Sequence, residues 1–415
     1  MHASPRPLFI SRFLRRIFPR SESLDEIHRI SQIVRPVKPL NDPFSIVSSE
    51  MSGLAGNIAK LVGSGHPSLN KVANYYFKSQ GKHIRPMIVL LLSKAMSEVP
   101  DSRRGEADTS DVSYIADESL SPLKILNEIP MPILNPLSKP QEPFVSEIEG
   151  VLPKQRRLAV IVEMIHTASL LHDDVIDNSS ERRSRPSGNS AFGNKMAILA
   201  GDFLLGRASV AIARLRNAEV TELMSTTIAN LVEGEFMQLK NTTDNTSEVV
   251  KNEYFQYYIH KTYLKTASLM SKSCRSAAVL AGLDRDLVDH AYEFGKNLGL
   301  CFQIVDDCLD YTAADKEQLG KPSGADLKLG LATAPVLYAW EQFPELGTLI
   351  RRKFKAPGDI ELARDYVKKA DGVQKTKNLA VHYHNAALAE LDFFPPSEAL
   401  SGLKSLTHIM LSREK

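Results

Sequence analysis

Cysteine is scarce in this chain. Only Cys274, Cys301 and Cys308 occur among 415 residues. The count is odd and no pair forms a C-x-x-C, which argues against a disulfide framework or a cysteine-held zinc site. A reducing compartment such as the cytosol or the mitochondrial matrix fits. Long apolar runs are also missing. The densest, MIVLLL at 87–92, has six residues, well short of the roughly 18 that read as a spanning helix, so no transmembrane span is expected. Strict apolar–polar alternation over five or more residues is rare, which leaves little material for half-buried strands. Acidic residues are absent from 1–20, where five arginines stand. Without those five, the formal net charge of +2 becomes −3. The body is therefore mildly acidic, and no nucleic acid is expected as a partner.

What is present is helical periodicity. Apolar residues recur at i, i+3, i+4 and i+7 through 68–97, 155–178, 190–215, 220–240, 251–282, 286–312 and 331–342. That predicts an all-α body. Residues 1–50 divide from a domain spanning 51–415. In the first segment Phe9, Ile10, Phe13, Leu14 and Ile17 share one helical face, interleaved with Arg12, Arg15 and Arg16. This amphipathic, arginine-rich, acid-poor pattern is that of a mitochondrial transit peptide; a basic tail is the alternative. Residues 21–50 read as a linker. Within the domain, 98–153 carries eight prolines in 56 residues, which no long helix tolerates. It reads as a largely disordered surface insertion.

Two motifs carry the chemistry. HDDVID places Asp173, Asp174 and Asp177 inside an apolar stretch, and QIVDDCLDYT repeats the D-D-x-x-D spacing with Asp306, Asp307 and Asp310. Positions i and i+4 of a helix share a face, so Asp173 pairs with Asp177 and Asp306 with Asp310. Carboxylates at a helix C-terminus repel each other and oppose the helix dipole. A hard cation reverses that cost, and Mg²⁺ suits one or two carboxylates plus substrate phosphates. A single such motif is more often a solvated helix end. Two copies in apolar helices point to a clamp for a diphosphate.

Complementary cations stand in GKHIRP (Lys82, Arg85), after the first motif (Arg182, Arg183), in IHKTYLKTAS (Lys261, Thr262) and in LGKPSGADLKLG (Lys321). His166 precedes Asp173 by seven residues, two helical turns, and so shares its face. Asp202, Glu235 and Gln238 also interrupt apolar helices. For these three, a role facing the cavity and a hydrogen bond within the packing are both open.

In this order, G-K-x-x-R-P, D-D-x-x-D, R-R, K-T, D-D-x-x-D and G-K-P-x-G-x-D resemble the trans-prenyltransferases, the polyprenyl diphosphate synthases. The stretch RPSGNSAFGNKMAILAGDFLLGRA is similar to the mitochondrial long-chain members, the fungal ones above all, that make the ubiquinone side chain. Ser184 departs from the glycine usual after the arginine pair.

The resemblance implies an isoprenoid-synthase helical bundle around a central cavity. It implies Mg²⁺-dependent head-to-tail condensation of isopentenyl diphosphate onto an allylic diphosphate. Asp173, Asp177 and Asp306 are the implied metal ligands, with Asp174, Asp307, Asp310, Lys261 and Gln303 also catalytic. Lys82, Arg85, His166 and Arg183 are implied for isopentenyl diphosphate, and Arg182, Lys261, Thr262, Gln303 and Lys321 for the allylic diphosphate. Small side chains at Ala168 and Ser169, with Ile165 behind them, imply a long product. A homodimer is implied, with a dissimilar partner chain as the alternative, together with mitochondrial location and peripheral association at the inner membrane.

A terpene cyclase would not need GKHIRP. A non-catalytic subunit would be expected to have lost part of its aspartates. A metal-buffering protein would not need the cations.

Overall fold

The computed structural model of the protein describes residues 42–63, 66–77, 83–105, 150–182, 185–240, 251–312 and 325–413. Residues 1–41 and 106–149, where the transit-peptide, linker and insertion readings mostly fall, and Lys82, Arg183, Ser184 and Lys321 all lie outside these.

Helices begin earlier than the periodicity predicts. Asp42 accepts from the Phe44 N–H and Pro43 stands in the first turn of α1 (Pro43–Ile46), followed by α2 (Ser48–Val62). An Asp N-cap before an N1 proline is a start signal, and Ile46 and Val47 are buried. The linker reading therefore ran too far, because so short an amphipathic stretch shows little period. The 68–97 pattern is two helices, α3 (Pro67–Ala73) and α4 (Ile84–Met96). The insertion boundary also moves. Residues 101–103 form a 3₁₀ turn, and Arg103 pairs with Asp284 and Asp286 at 2.7 and 2.8 Å, tying this turn to the body.

The bundle continues through α5 (Pro153–Ile176), a two-residue hairpin pairing Glu181–Arg182 with Arg185–Pro186, α6 (Gly188–Phe192), α7 (Asn194–Arg214), α8 (Ala218–Lys240) and α9 (Lys251–Thr262). A π-helical turn, Tyr263–Ala267, leads into α10 (Ser268–Leu280) and α11 (Arg285–Thr312). Then come α12 (Ala325–Lys328), α13 (Ala334–Gln342), α14 (Leu346–Arg351), α15 (Asp359–Lys369), α16 (Gly372–Leu391) and α17 (Glu398–Ser412). The all-α expectation holds among the described residues, that hairpin and one isolated bridge aside.

Two helices organise the interior. In α5 nearly every position from Leu158 to Ala168 is buried, because α4, α7 and α10 pack around it. At about 1.5 Å per residue, the 28 residues of α11 run long enough to pass through both apolar clusters. Leu287, Phe294 and Leu298 lie in the first cluster; Leu300, Ile304 and Val305 lie in the second. By length and apolarity alone α7 could cross a membrane. It instead buries Ala197, Ala200, Leu204 and Ala208 in the first cluster beside α5. That assigns it to the bundle.

Candidate active site

The two aspartate motifs occupy the last turns of α5 and α11. Within each, the three carboxylates have different surroundings. Asp174 is fully buried and is held by Arg182, whose Nε and Nη2 lie 2.8 and 2.6 Å from Oδ1, and by the Tyr76 hydroxyl. Asp307, 4% exposed, accepts from the Tyr258 hydroxyl at 2.7 Å and the Gln303 amide at 2.9 Å. Burial pushes the Asp307 carboxyl upward; the hydrogen bonds from Gln303 and Tyr258 pull it back. Asp310 accepts from the Ala325 and Asp326 N–H groups at 3.0 and 3.3 Å, joining the second motif to the start of α12. Asp173, Asp177 and Asp306 are only half-buried.

The π-helical turn connects the motifs. The Lys265 ammonium pairs with Glu235 at 2.5 Å and Gln238 at 3.2 Å, and it attracts Asp173 and Asp177. The next residue, Thr266, donates to Gln303 at 2.9 Å, and Gln303 donates to Asp307. Adjacent residues thus reach the two motifs. The turn is held between glycines: a Cβ on Gly234 would lie 2.9 Å from the Lys265 nitrogen, and one on Gly299 would lie 2.5 Å from the Ala267 Cα. Burial raises Asp173 to about 6, with Lys265 pulling it down and Glu235 and Asp177 pushing it up.

The two K-T dipeptides have different surroundings. Lys261 lies buried over the Tyr258 ring, drawn to Asp307 and Asp326, and burial lowers its pKa. Thr262 is 2% exposed beside Tyr258. The second K-T dipeptide, Lys265–Thr266, faces the first motif and Gln303. The signal was visible in IHKTYLKTAS, but i and i+4 look equivalent on a regular helix, and only the π turn separates them. Glu235 and Gln238, left open between cavity and packing, also stand here.

A second group of cations lies beside this one. Arg85 donates to His166 Nε2 at 2.9 Å and stands over the Phe302 ring at 5.9 Å. Arg413, near the chain end, lies over the same ring at 4.0 Å and pairs with Asp306. Nothing in the sequence motifs had singled out Arg413. Ile165 and Ala168 are fully buried on α5, and the half-buried Ser169 donates to the His166 carbonyl at 2.8 Å.

The donors fit a hard divalent ion. Among the described residues, no three His, Cys, Asp or Glu side chains close around one point. Half-buried carboxylates at two helix ends suit an ion that completes its shell with water and phosphate oxygens.

The family model described as "Polyprenyl synthetase" matches residues 143–367. The chain is 63% identical over 401 residues to a Yarrowia lipolytica protein named "Probable hexaprenyl pyrophosphate synthase, mitochondrial", covering 94% of this chain and 88% of the relative. It is 51% identical over 448 residues to the mitochondrial hexaprenyl pyrophosphate synthase of Saccharomyces cerevisiae, covering 94% of both. The fold matches the crystal structure of a Caulobacter crescentus polyprenyl synthase complexed with calcium and isoprenyl diphosphate. There the TM-score is 0.69 at 25% identity, covering 96% of this chain and 100% of the other.

Proposed function

The chain belongs to the polyprenyl synthetase family, and from that premise we propose that it is a mitochondrial long-chain polyprenyl diphosphate synthase serving ubiquinone biosynthesis. It condenses isopentenyl diphosphate head to tail onto an allylic diphosphate, with Mg²⁺ as cofactor. The names of the Yarrowia and Saccharomyces relatives support a product of six isoprene units. The observation that carries the reading is the chain of contacts from Asp173 through Lys265, Thr266 and Gln303 to Asp307, which connects two aspartate motifs through cationic and polar side chains.

In this reading Asp173, Asp177 and Asp306 hold the metal. When bound, it supplies Lewis-acid charge against the growing negative charge of the leaving diphosphate. Lys265 and Arg182 stand ready to add fixed positive charge to the same group, with no reorganisation needed as the allylic C–O bond breaks. Asp174 holds the Arg182 fork in one orientation for this. Thr266 and Gln303 turn oxygen dipoles towards the allylic cation. Arg85, oriented by His166, holds isopentenyl diphosphate so that its double bond attacks that cation. The departing diphosphate takes the proton whose loss restores the alkene. For Asp306 to act as a ligand, Arg413 must leave it; the neighbouring diphosphate offers that guanidinium an alternative partner.

The test is an assay with labelled isopentenyl diphosphate, farnesyl diphosphate and Mg²⁺, product length being read by chromatography. An all-trans product of six units is expected. Products stopping at three or four units would overturn the long-chain reading, and no condensation at all would overturn the activity.

A further inference from the structure

A buried carboxylate on α5 takes no part in either aspartate motif. Glu163 is 4% exposed, and its Oε1 accepts from His83 Nδ1 at 2.7 Å. His83 is the residue before α4, two positions from Arg85. Its backbone is left-handed, φ 41° and ψ 46°, a conformation that a non-glycine residue adopts only at a cost. It persists only where the surroundings hold it. The Glu163 carboxylate is the contact that holds the ring.

One turn further along α5, His166 accepts from Arg85. The same helix face then reaches Asp173, ten residues and so about 15 Å beyond Glu163. One rigid helix therefore carries two grips on the start of α4 and the first aspartate motif. Glu163 itself suits no diphosphate, being an anion whose Oε1 is already taken by the His83 ring. Its geometry suits a task on the protein side of the site.

We propose that Glu163 is a positioning residue for the isopentenyl diphosphate subsite, acting through His83 to fix the first turn of α4 and so the height and direction of Arg85. This rests on the reading of Arg85 as a diphosphate anchor. It adds that the spacing between the two substrate diphosphates is set by α5, with Glu163 at one end and Asp173 at the other.

The test is steady-state kinetics of the full chain, varying each substrate in turn. Glu163→Gln keeps the side chain's shape and removes its charge. The expected result is a rise of about tenfold in KM for isopentenyl diphosphate, the size of one charge-assisted hydrogen bond. The KM of the allylic substrate should stay within about twofold. His83→Asn keeps a residue that tolerates left-handed backbone and should give the same selective rise. It carries the test if Glu163→Gln does not fold. The double variant should be no worse than either single one, because both remove the same contact.

Arg85→Ala distinguishes the subsite from its positioning. If it leaves KM for isopentenyl diphosphate unchanged, the subsite reading itself fails. If Arg85→Ala raises that KM selectively but Glu163→Gln and His83→Asn do not, the positioning role is overturned. A fall in kcat alone, or equal rises in both KM values, would also overturn it.

Discussion

The Tyr258 hydroxyl donates to the Asp307 carboxylate at 2.7 Å, and the same relationship recurs at the other motif, where Tyr76 donates to Asp174. Each D-D-x-x-D thus carries its middle aspartate inward, closed off from water by a buried phenol and one further donor, Gln303 or Arg182. A carboxylate so occupied has its lone pairs committed to the protein. Asp173 and Asp306 keep partial contact with solvent, which suits the proposed role of meeting a metal and a diphosphate.

Replacing the outer aspartates should therefore cost activity and replacing a middle one should cost stability. Asp173→Ala and Asp306→Ala are each expected to lower turnover by about 10²–10³ or more, with an unchanged circular-dichroism spectrum. Asp307→Ala strands the Tyr258 hydroxyl and the buried Lys261 ammonium. Removing one partner of such a buried set typically costs about 3–5 kcal/mol, read as a lower Tm. Near-normal turnover in the first two variants would refute the metal assignment.

Asp173 also predicts a pH effect on the metal-free protein. Burial lifts its carboxyl from 3.8 to about 6, so the folded state holds the proton more tightly than the unfolded chain. Stability from this group is full below about pH 4 and is lost as pH rises through about 6. Above that, the ionised carboxylate costs on the order of 3 kcal/mol. Asp173→Asn should raise the metal-free Tm by a few degrees at pH 7.5 and leave it nearly unchanged at pH 4. A gain of equal size at both pH values would contradict this account.

The π turn should be intolerant of a single added methyl group. Gly299→Ala places a Cβ 2.5 Å from the Ala267 Cα, a backbone atom that cannot step aside without moving the turn. Lys265 and Thr266 would shift with it. A drop of about 10² in kcat is expected from displacement near 1 Å, alongside a lower Tm. Lys265→Ala should lose comparable activity with less loss of Tm. Wild-type kinetics in both would show that the turn does not position the site.

Ala168 sits fully buried on α5, five residues before Asp173. Ala168→Phe is expected to place a ring across the path of the growing chain and to shift the product towards farnesyl or geranylgeranyl diphosphate. Overpacking costs about 1–3 kcal/mol, so Tm should fall while the first condensations persist. Full-length products from this variant would show that the chain grows elsewhere.

Much of this molecule was decided along the chain itself. Apolar residues at 3.6-residue spacing made helices of α5 and α11, because one face of each turn must leave water. The D-D-x-x-D spacing put Asp173 with Asp177 on a common face by the same arithmetic, and no fold was needed to see that such charges want a cation. The periodic stretches read from the sequence end at residue 342, although α15 and α17 also bury single apolar stripes, Ala363 with Val367 and Leu403 with Leu406 and Met410. Three-dimensional packing alone decided which carboxylate of each motif turns inward, since Tyr76 and Tyr258 arrive from positions 98 and 49 residues away. It also gave Lys261–Thr262 and Lys265–Thr266 different neighbours. On a regular helix these dipeptides are interchangeable, four residues apart on one face. A wider turn, admitted by the missing side chains of Gly234 and Gly299, rotates them apart, and that space exists only once α8 and α11 have packed against it.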